Sequence, residues 1–193
     1  MNKKIKLGMI IATIAAAMSY VSTAVDFVGK VRSVFAGTTT DSHFLGRWAT
    51  HWEYSLSGGV SLGFRGTSEY FQNGRYNTSG IMTVTARDST PDPVQAEYLA
   101  SWAGTWSVEG KGITTTMDEM KTTPSTVIVG TKELSANEVT QMLGRDGHFP
   151  NLSDLYPHGA TAYATIVSVS DRAFSLTEDA GHKQKITIFG QRD

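Results

Sequence analysis

Four tryptophans carry most of the chemistry this sequence suggests, because few other side chains in it fall into a pattern that a reaction or a metal needs. Trp48 and Trp52 are two pairs of positions apart along the chain, as are Trp102 and Trp106. In an extended strand that spacing puts both rings of a pair on the same face. Rings so placed either line a hollow for an apolar or ring-bearing ligand or pack as ordinary core. The aromatic residues Trp52, Tyr54, Phe64, Tyr98 and Trp102 are the candidate ligand contacts on this ground.

Evidence for catalysis is thin. Five histidines and many serines are present, yet there is no Gly-x-Ser-x-Gly elbow, no His-Glu-x-x-His pair and no phosphate-binding loop. No catalytic residue is assigned, and the chain is read as non-enzymatic. Asp146, His148, Asp154 and His158 fall in one irregular stretch that could hold a divalent ion. Spacing alone fixes no geometry there, and a solvated loop is the simpler reading, so no metal and no cofactor are assigned. The absence of cysteine excludes disulfides, thiolate ligands and a thiol nucleophile together. A net charge of −1 argues against a nucleic-acid polymer as partner, since such proteins carry a basic face.

The elements that position the aromatics are strands. With 193 residues there is room for one domain with a real core. Only 18% of residues are charged and Gly numbers 19, a balance that suits short strands and tight turns. From His43 onward apolar residues alternate. Phe44, Gly46, Trp48, Thr50, Trp52 and Tyr54 share one face of the first strand, with Arg47, His51 and Glu53 on the other. Val60–Phe71 runs back, and Asn73-Gly74 predicts a two-residue hairpin turn into Tyr76–Ala86. That turn would set Tyr70 on the face of Asn77 instead of Tyr76, so a bulge at Gly66 or Gly80 is expected to restore the face. Further strands are expected at Glu97–Glu109, Ile113–Met117, Val127–Val129, Ala162–Val169, Ala173–Thr177 and Gln184–Gln191. Ser135 with Glu138 forms a capping box, which predicts one helix over Ala136–Leu143.

The first 36 residues read differently. Lys3, Lys4 and Lys6 precede an uncharged run from Leu7 to Val25, of 19 residues against the roughly 20 that span a bilayer core. It serves either as an uncleaved anchor, continuing into a juxtamembrane helix over Asp26–Phe35, or as a signal segment with Ser22-Thr23-Ala24 at its cleavage site. The anchor is preferred. The basic residues before it place the following domain outside the cytoplasm, or secreted if residues 1–24 are removed. The domain plan is therefore an anchor or signal at 1–36, a linker at 37–42 and a barrel at 43–193.

Gly46-Arg47-Trp48 near the start of the barrel domain, with Arg192 at its end, resembles the lipocalin-like (calycin) superfamily. The run Gly104–Gly110 and the ending Tyr163–Val169, Phe174–Leu176, Gly181 and Arg192 are similar to bacterial members. The resemblance implies a mainly β, antiparallel, up-and-down eight-stranded barrel with one closed end. It also implies that Gly46, Trp48 and Arg192 form a structural plug, the arginine covering the tryptophan. The helix lies in an insertion at 117–159, a departure from the family pattern, and that insertion is a candidate lid or protein-partner surface.

The leading expectation is a membrane-tethered barrel at the cell envelope, binding a small, largely apolar molecule or lipid. One rival is a membrane effector whose barrel reads a cyclic nucleotide in anti-phage defence, with Arg47, Arg65, Arg75 and Arg87 meeting phosphates. Another is a structural or assembly protein with a filled barrel.

Overall fold

Runs of aromatic, β-branched and Thr residues, interrupted by Gly-containing turns, dictate extended chain through most of the molecule. In a computed structural model, residues 40–56, 59–87, 93–143, 151–179 and 185–192 are described. The strands are β1 (Gly46–Ser55), β2 (Val60–Tyr70), β3 (Arg75–Ala86), β4 (Val94–Glu109), β5 (Gly112–Val129), β6 (Lys132–Ser135), β7 (Ala160–Val169), β8 (Ala173–Asp179) and β9 (Lys185–Gln191). One helix, α1 (Ala136–Leu143), and a 3-10 turn, Leu152–Leu155, lie between β6 and β7.

All pairings are antiparallel, and the sheet runs β4-β3-β2-β1-β9-β8-β7-β5-β6, with β4 also paired to β5. The β4–β5 pairing closes a ring of eight strands and leaves β6 outside it, bonded only to the far half of β5. Closure pairs each ring strand with a neighbour on both sides along part of its length, and among the described residues the middle of β5 is left with one strand partner. Even-numbered residues of β1 to β4 point inward, which is the alternation the sequence predicts.

The hairpin between β2 and β3 departs from the expected turn. Register runs unbroken from Val60↔Ala86 to Tyr70↔Tyr76, so the two tyrosines face each other directly. The loop contains one residue more than a two-residue turn. Gly74 N donates to Phe71 O at 3.1 Å, Phe71 N donates to Arg75 O at 2.8 Å, and Gly74 takes a φ of 74°. Asn73 Oδ1 accepts from Arg75 N at 3.0 Å and fixes the loop from its side chain. The extra residue corrects the face inside the turn, so no bulge is needed at Gly66 or Gly80. Those two glycines pair with one another instead. A Cβ on Gly66 would strike Ser79 O, and one on Gly80 would strike Arg65 O. The pair marks a close approach of two backbones, a place where only hydrogen fits.

Two expected short strands, Ile113–Met117 and Val127–Val129, are the ends of one long strand, β5. Pro124 and the charged run Asp118–Lys121 suggest a break in sequence, but the fold absorbs both. Asp118 is the extra residue at a register shift opposite Ala103/Gly104, and Pro124 adjoins a second shift opposite Glu97/Tyr98. Between Met117 and Thr126 the only strand partner of β5 is β4, so a missing N–H is tolerated there. The excursion out of the ring is accordingly shorter than expected and begins after Val129. Helix α1 occupies the expected residues, and its capping box is formed: Ser135 N donates to Glu138 Oε2 at 2.8 Å and Glu138 N to Ser135 Oγ at 3.2 Å. Val139 and Leu152 are fully buried and tie the excursion to Val84, Val94, Tyr98 and Val127.

The expected anchor and linker fall almost wholly outside the described residues. Among those that are described, no helix is long and apolar enough to cross a membrane.

The Gly66–Gly80 contact yields a direct test. Gly80→Ala should destabilise the fold by about 2–3 kcal/mol, because the clash is with backbone that cannot step aside. Gly63→Ala, whose Cβ would meet only Trp52 O at 3.7 Å, should change stability by less than about 0.5 kcal/mol. Urea denaturation of both variants measures the difference.

Candidate functional site

One end of the barrel is filled. Phe44, Trp48, Tyr70, Tyr76, Trp106 and Phe174 are all buried there. Phe174 meets Trp48 at 5.0 Å, and Trp106 meets Tyr70 at 5.2 Å, both edge to face. Each such pair is worth roughly 0.5–1.5 kcal/mol beyond the area it buries. Burial is paired with hydrogen bonding: Trp48 Nε1 donates to Phe44 O at 2.7 Å and Trp106 Nε1 to Phe71 O at 3.1 Å. Burial also pushes the Tyr70 phenol up to about 12.

Arg192 closes this end from outside. Its guanidinium carbon sits 4.3 Å above the Trp48 ring, and Nη2 donates to His43 O at 3.2 Å and to Leu45 O at 2.5 Å. The first strand is thereby clamped to the segment after the last. Gly46 enters β1 with a φ of 96°, which a side chain would oppose although there is space for one.

Above the plug the barrel is hollow. A cavity of about 240 Å³ runs from Tyr70 and Tyr76 to Tyr54 and Tyr156. Its origin is unequal side chains on opposite walls. Trp52, Phe64 and Trp102 project from β1, β2 and β4, with Phe64 in ring contact with Trp52 at 5.9 Å and with Trp102 at 4.7 Å. Across the ring, β7 offers only the small residues Ala160, Thr161, Ala162 and Ala164. Three strands lie between β2 and β7 in either direction, so the small residues face the large ones.

Two polar features interrupt the apolar lining. On the β1–β3 wall, Thr50 Oγ1 lies 3.0 Å from Ser68 Oγ, which lies 3.0 Å from Thr78 Oγ1. Three hydroxyls in a row share two hydrogen bonds, and all three line the cavity. On β8, Glu178 follows Phe174 and Leu176 on the inner face and ends among Ala164, Ile186 and the cavity. Desolvation pushes its carboxyl up to about 7, and burial, with a smaller contribution from the Glu178 charge, raises the phenols of Tyr54 and Tyr156. Tyr156 reaches the cavity because the 3-10 turn before it is fastened to β5: Thr122 Oγ1 bonds Asn151 Oδ1 and accepts from Ser153 N at 2.8 Å.

Of the predicted ligand contacts, Trp52, Tyr54, Phe64 and Trp102 line the cavity and Tyr98 does not. Tyr98 has no exposed surface, and it belongs to the core that β6, α1 and the 3-10 turn complete beyond the ring. Asp154 and His158 are exposed, while Asp146 and His148 lie outside the described residues. No cluster of three or more metal-ligating side chains occurs among the described residues. Arg47, Arg65, Arg75 and Arg87 are all exposed, and Arg75 pairs with Asp118 at 2.6 Å. Sequence reasoning ended β8 at Thr177 and so missed Glu178. Carrying the Phe174–Leu176 alternation one step further would have found it. Nothing comparable points to Tyr156, which sits in an irregular loop.

The closed antiparallel meander is consistent with a calycin-like fold. In comparisons of sequence, no family model matches the chain and no curated relative does.

Two predictions follow from this geometry. Arg192→Ala should cost about 2 kcal/mol, the worth of two bonds from a charged donor and a cation–π contact, read as a lower midpoint in urea. The second concerns pH. Glu178 is protonated in both folded and unfolded chains below its ordinary 4.5, so burial costs nothing there. As pH rises from 4.5 to about 7, the unfolded chain loses this proton first, and stability should fall by roughly 2–3 kcal/mol. Glu178→Gln should remove that decline, and thermal denaturation across the interval would reveal a variant whose curve still parallels the parent.

Proposed function

We propose that this protein is a non-enzymatic carrier or sensor which takes a small, largely apolar molecule into the barrel. The observation that carries the reading is the cavity itself, about 240 Å³ with Trp52, Phe64 and Trp102 along one wall and only Ala and Thr from β7 facing them. A barrel that existed only to present a surface would gain stability by filling that space, since each unfilled methyl-sized void costs about 1 kcal/mol. Benzene occupies an engineered cavity of roughly 150 Å³, so this one suits a ligand of about ten non-hydrogen atoms or a short lipid segment.

In this reading residues 7–25 tether the barrel to the membrane, with the barrel on the outer side at the cell envelope. The segment after β5 is the surface open to a protein partner. The cyclic-nucleotide alternative is weighed down by charge. Among the described residues no Lys or Arg lines the cavity, and Glu178 does. A ligand with several phosphates would meet a carboxylate and no counter-charge.

Mass spectrometry of small molecules released from the full chain, purified from its own compartment, tests the proposal. An apolar species at close to one per chain is expected, and Ala162→Trp, which fills the hollow from the β7 wall, should abolish it. A cyclic nucleotide in its place would favour the effector. An empty barrel, in which Trp52→Ala merely destabilises, would favour the structural role. A reporter joined after Asp193 should be active only outside the cytoplasm.

A further inference from the structure

The carboxyl of Glu178 is out of keeping with the rest of the hollow. Its strand neighbours in the row are Ala164 on β7 and Ile186 on β9, both apolar and both lining the same space. Among the described residues no Lys or Arg lines the cavity, and none of their ion pairs includes Glu178. An ionised carboxylate held in such a place is costly unless a cation joins it. Among the described residues none supplies one, which leaves that part to the ligand.

We infer that the cavity is an amine site, in which Glu178 with the hydroxyl oxygens of Tyr54 and Tyr156 receives the ammonium group of a small aryl- or alkylamine. An ammonium has three N–H donors and no acceptor, and the Glu178 carboxylate with the two phenol oxygens near enough to feel its charge supplies acceptors enough for all three. The hydrocarbon part then lies against Trp52, Phe64 and Trp102, whose faces also favour a nearby cation. The inference rests on the small-molecule reading above and narrows its ligand class.

The pH response is simple because few groups titrate in the cavity. Besides Glu178, the titratable residues lining it are Tyr54, Tyr70, Tyr76 and Tyr156, and burial raises every one of those phenols. They stay neutral through the range in which Glu178 ionises. β7 and β9 contribute only Ala, Thr and Ile side chains to the lining. An amine therefore binds better as pH rises through about 7, where the carboxyl gives up its proton.

Titration of the full chain with 3-phenylpropylamine, 3-phenylpropanol and 3-phenylpropanoate, followed by tryptophan fluorescence, decides the matter. At about pH 8 the amine should bind about tenfold or more tighter than the alcohol, with the carboxylate weakest. At about pH 5 the amine's advantage should shrink to roughly twofold, since Glu178 is then protonated. Glu178→Gln should erase the advantage at both pH values, so that amine and alcohol then bind alike. Should that variant fail to fold, the pH series on the unaltered chain tests the same point. Equal binding of amine and alcohol would overturn the amine site and leave the apolar cavity standing. An amine preference that survives Glu178→Gln, or is unchanged between the two pH values, would overturn the role of Glu178. If none of the three binds, both the amine site and the carrier reading fall.

Discussion

Closing eight strands into a ring fixes the interior space before any side chain is chosen, and the rest of this molecule follows from how that space is shared out. An eight-stranded barrel is just wide enough for its own side chains to fill. At one end they do so, with Phe44, Trp48, Tyr70, Tyr76, Trp106 and Phe174 meeting ring on ring. Further along, β7 turns alanines inward and the sum no longer reaches the middle. The hollow is thus a deficit in side-chain volume on one wall, with no irregularity of the backbone required. This also explains the division of labour among the tryptophans. Trp48 is sealed beneath Arg192, while Trp52 and Trp102 overlook open space.

The two polar features of the hollow differ in what they ask of their surroundings. The Thr50–Ser68–Thr78 row satisfies itself by neighbouring hydroxyls on adjacent strands, and so can remain buried without a guest. Glu178 has no neighbouring hydroxyl bond of that kind among the described residues, and burial pushes its carboxyl up to about 7. The segment that brings Tyr156 to the same end is held by side-chain bonds to Thr122 on β5. The cap over the hollow is therefore tied to the long strand that serves both the ring and the β6 hairpin.

Much of the architecture was legible from residue order, for identifiable reasons. Alternation in β1 to β4 placed the aromatics on the inner face because a two-residue period is unambiguous where one face is buried. The Ser135–Glu138 capping box located α1 to the residue, since that motif names its own end of the helix. Other features were not legible. Asn-Gly is compatible with loops of two or three residues, and only the pairing of Tyr70 with Tyr76 tells them apart. Pro124 and the charges at Asp118–Lys121 argued for a break in β5, and what rescued the strand was the absence of a second strand partner there, a tertiary fact. Tyr98 followed the right alternation yet lies outside the hollow, because β4 runs past the ring into the core beneath α1. In the same way, the strand expected at Ala173–Thr177 runs on to Asp179, and Glu178 lies in the two residues by which it is longer.

The adjacency of β1 and β9 has a bearing on how the chain reaches this state. Those strands pair directly although nearly the whole domain lies between them, and Arg192 bonds Leu45 across a separation of 147 residues. A nascent chain that has completed β8 is still an open sheet, with β1 and β8 as bare edges awaiting the same partner. Such edges recruit strands from other chains, and pairing over so long a loop is slow. Synthesis of the final strand, more than any event before it, is the moment at which the molecule stops being a hazard to its neighbours.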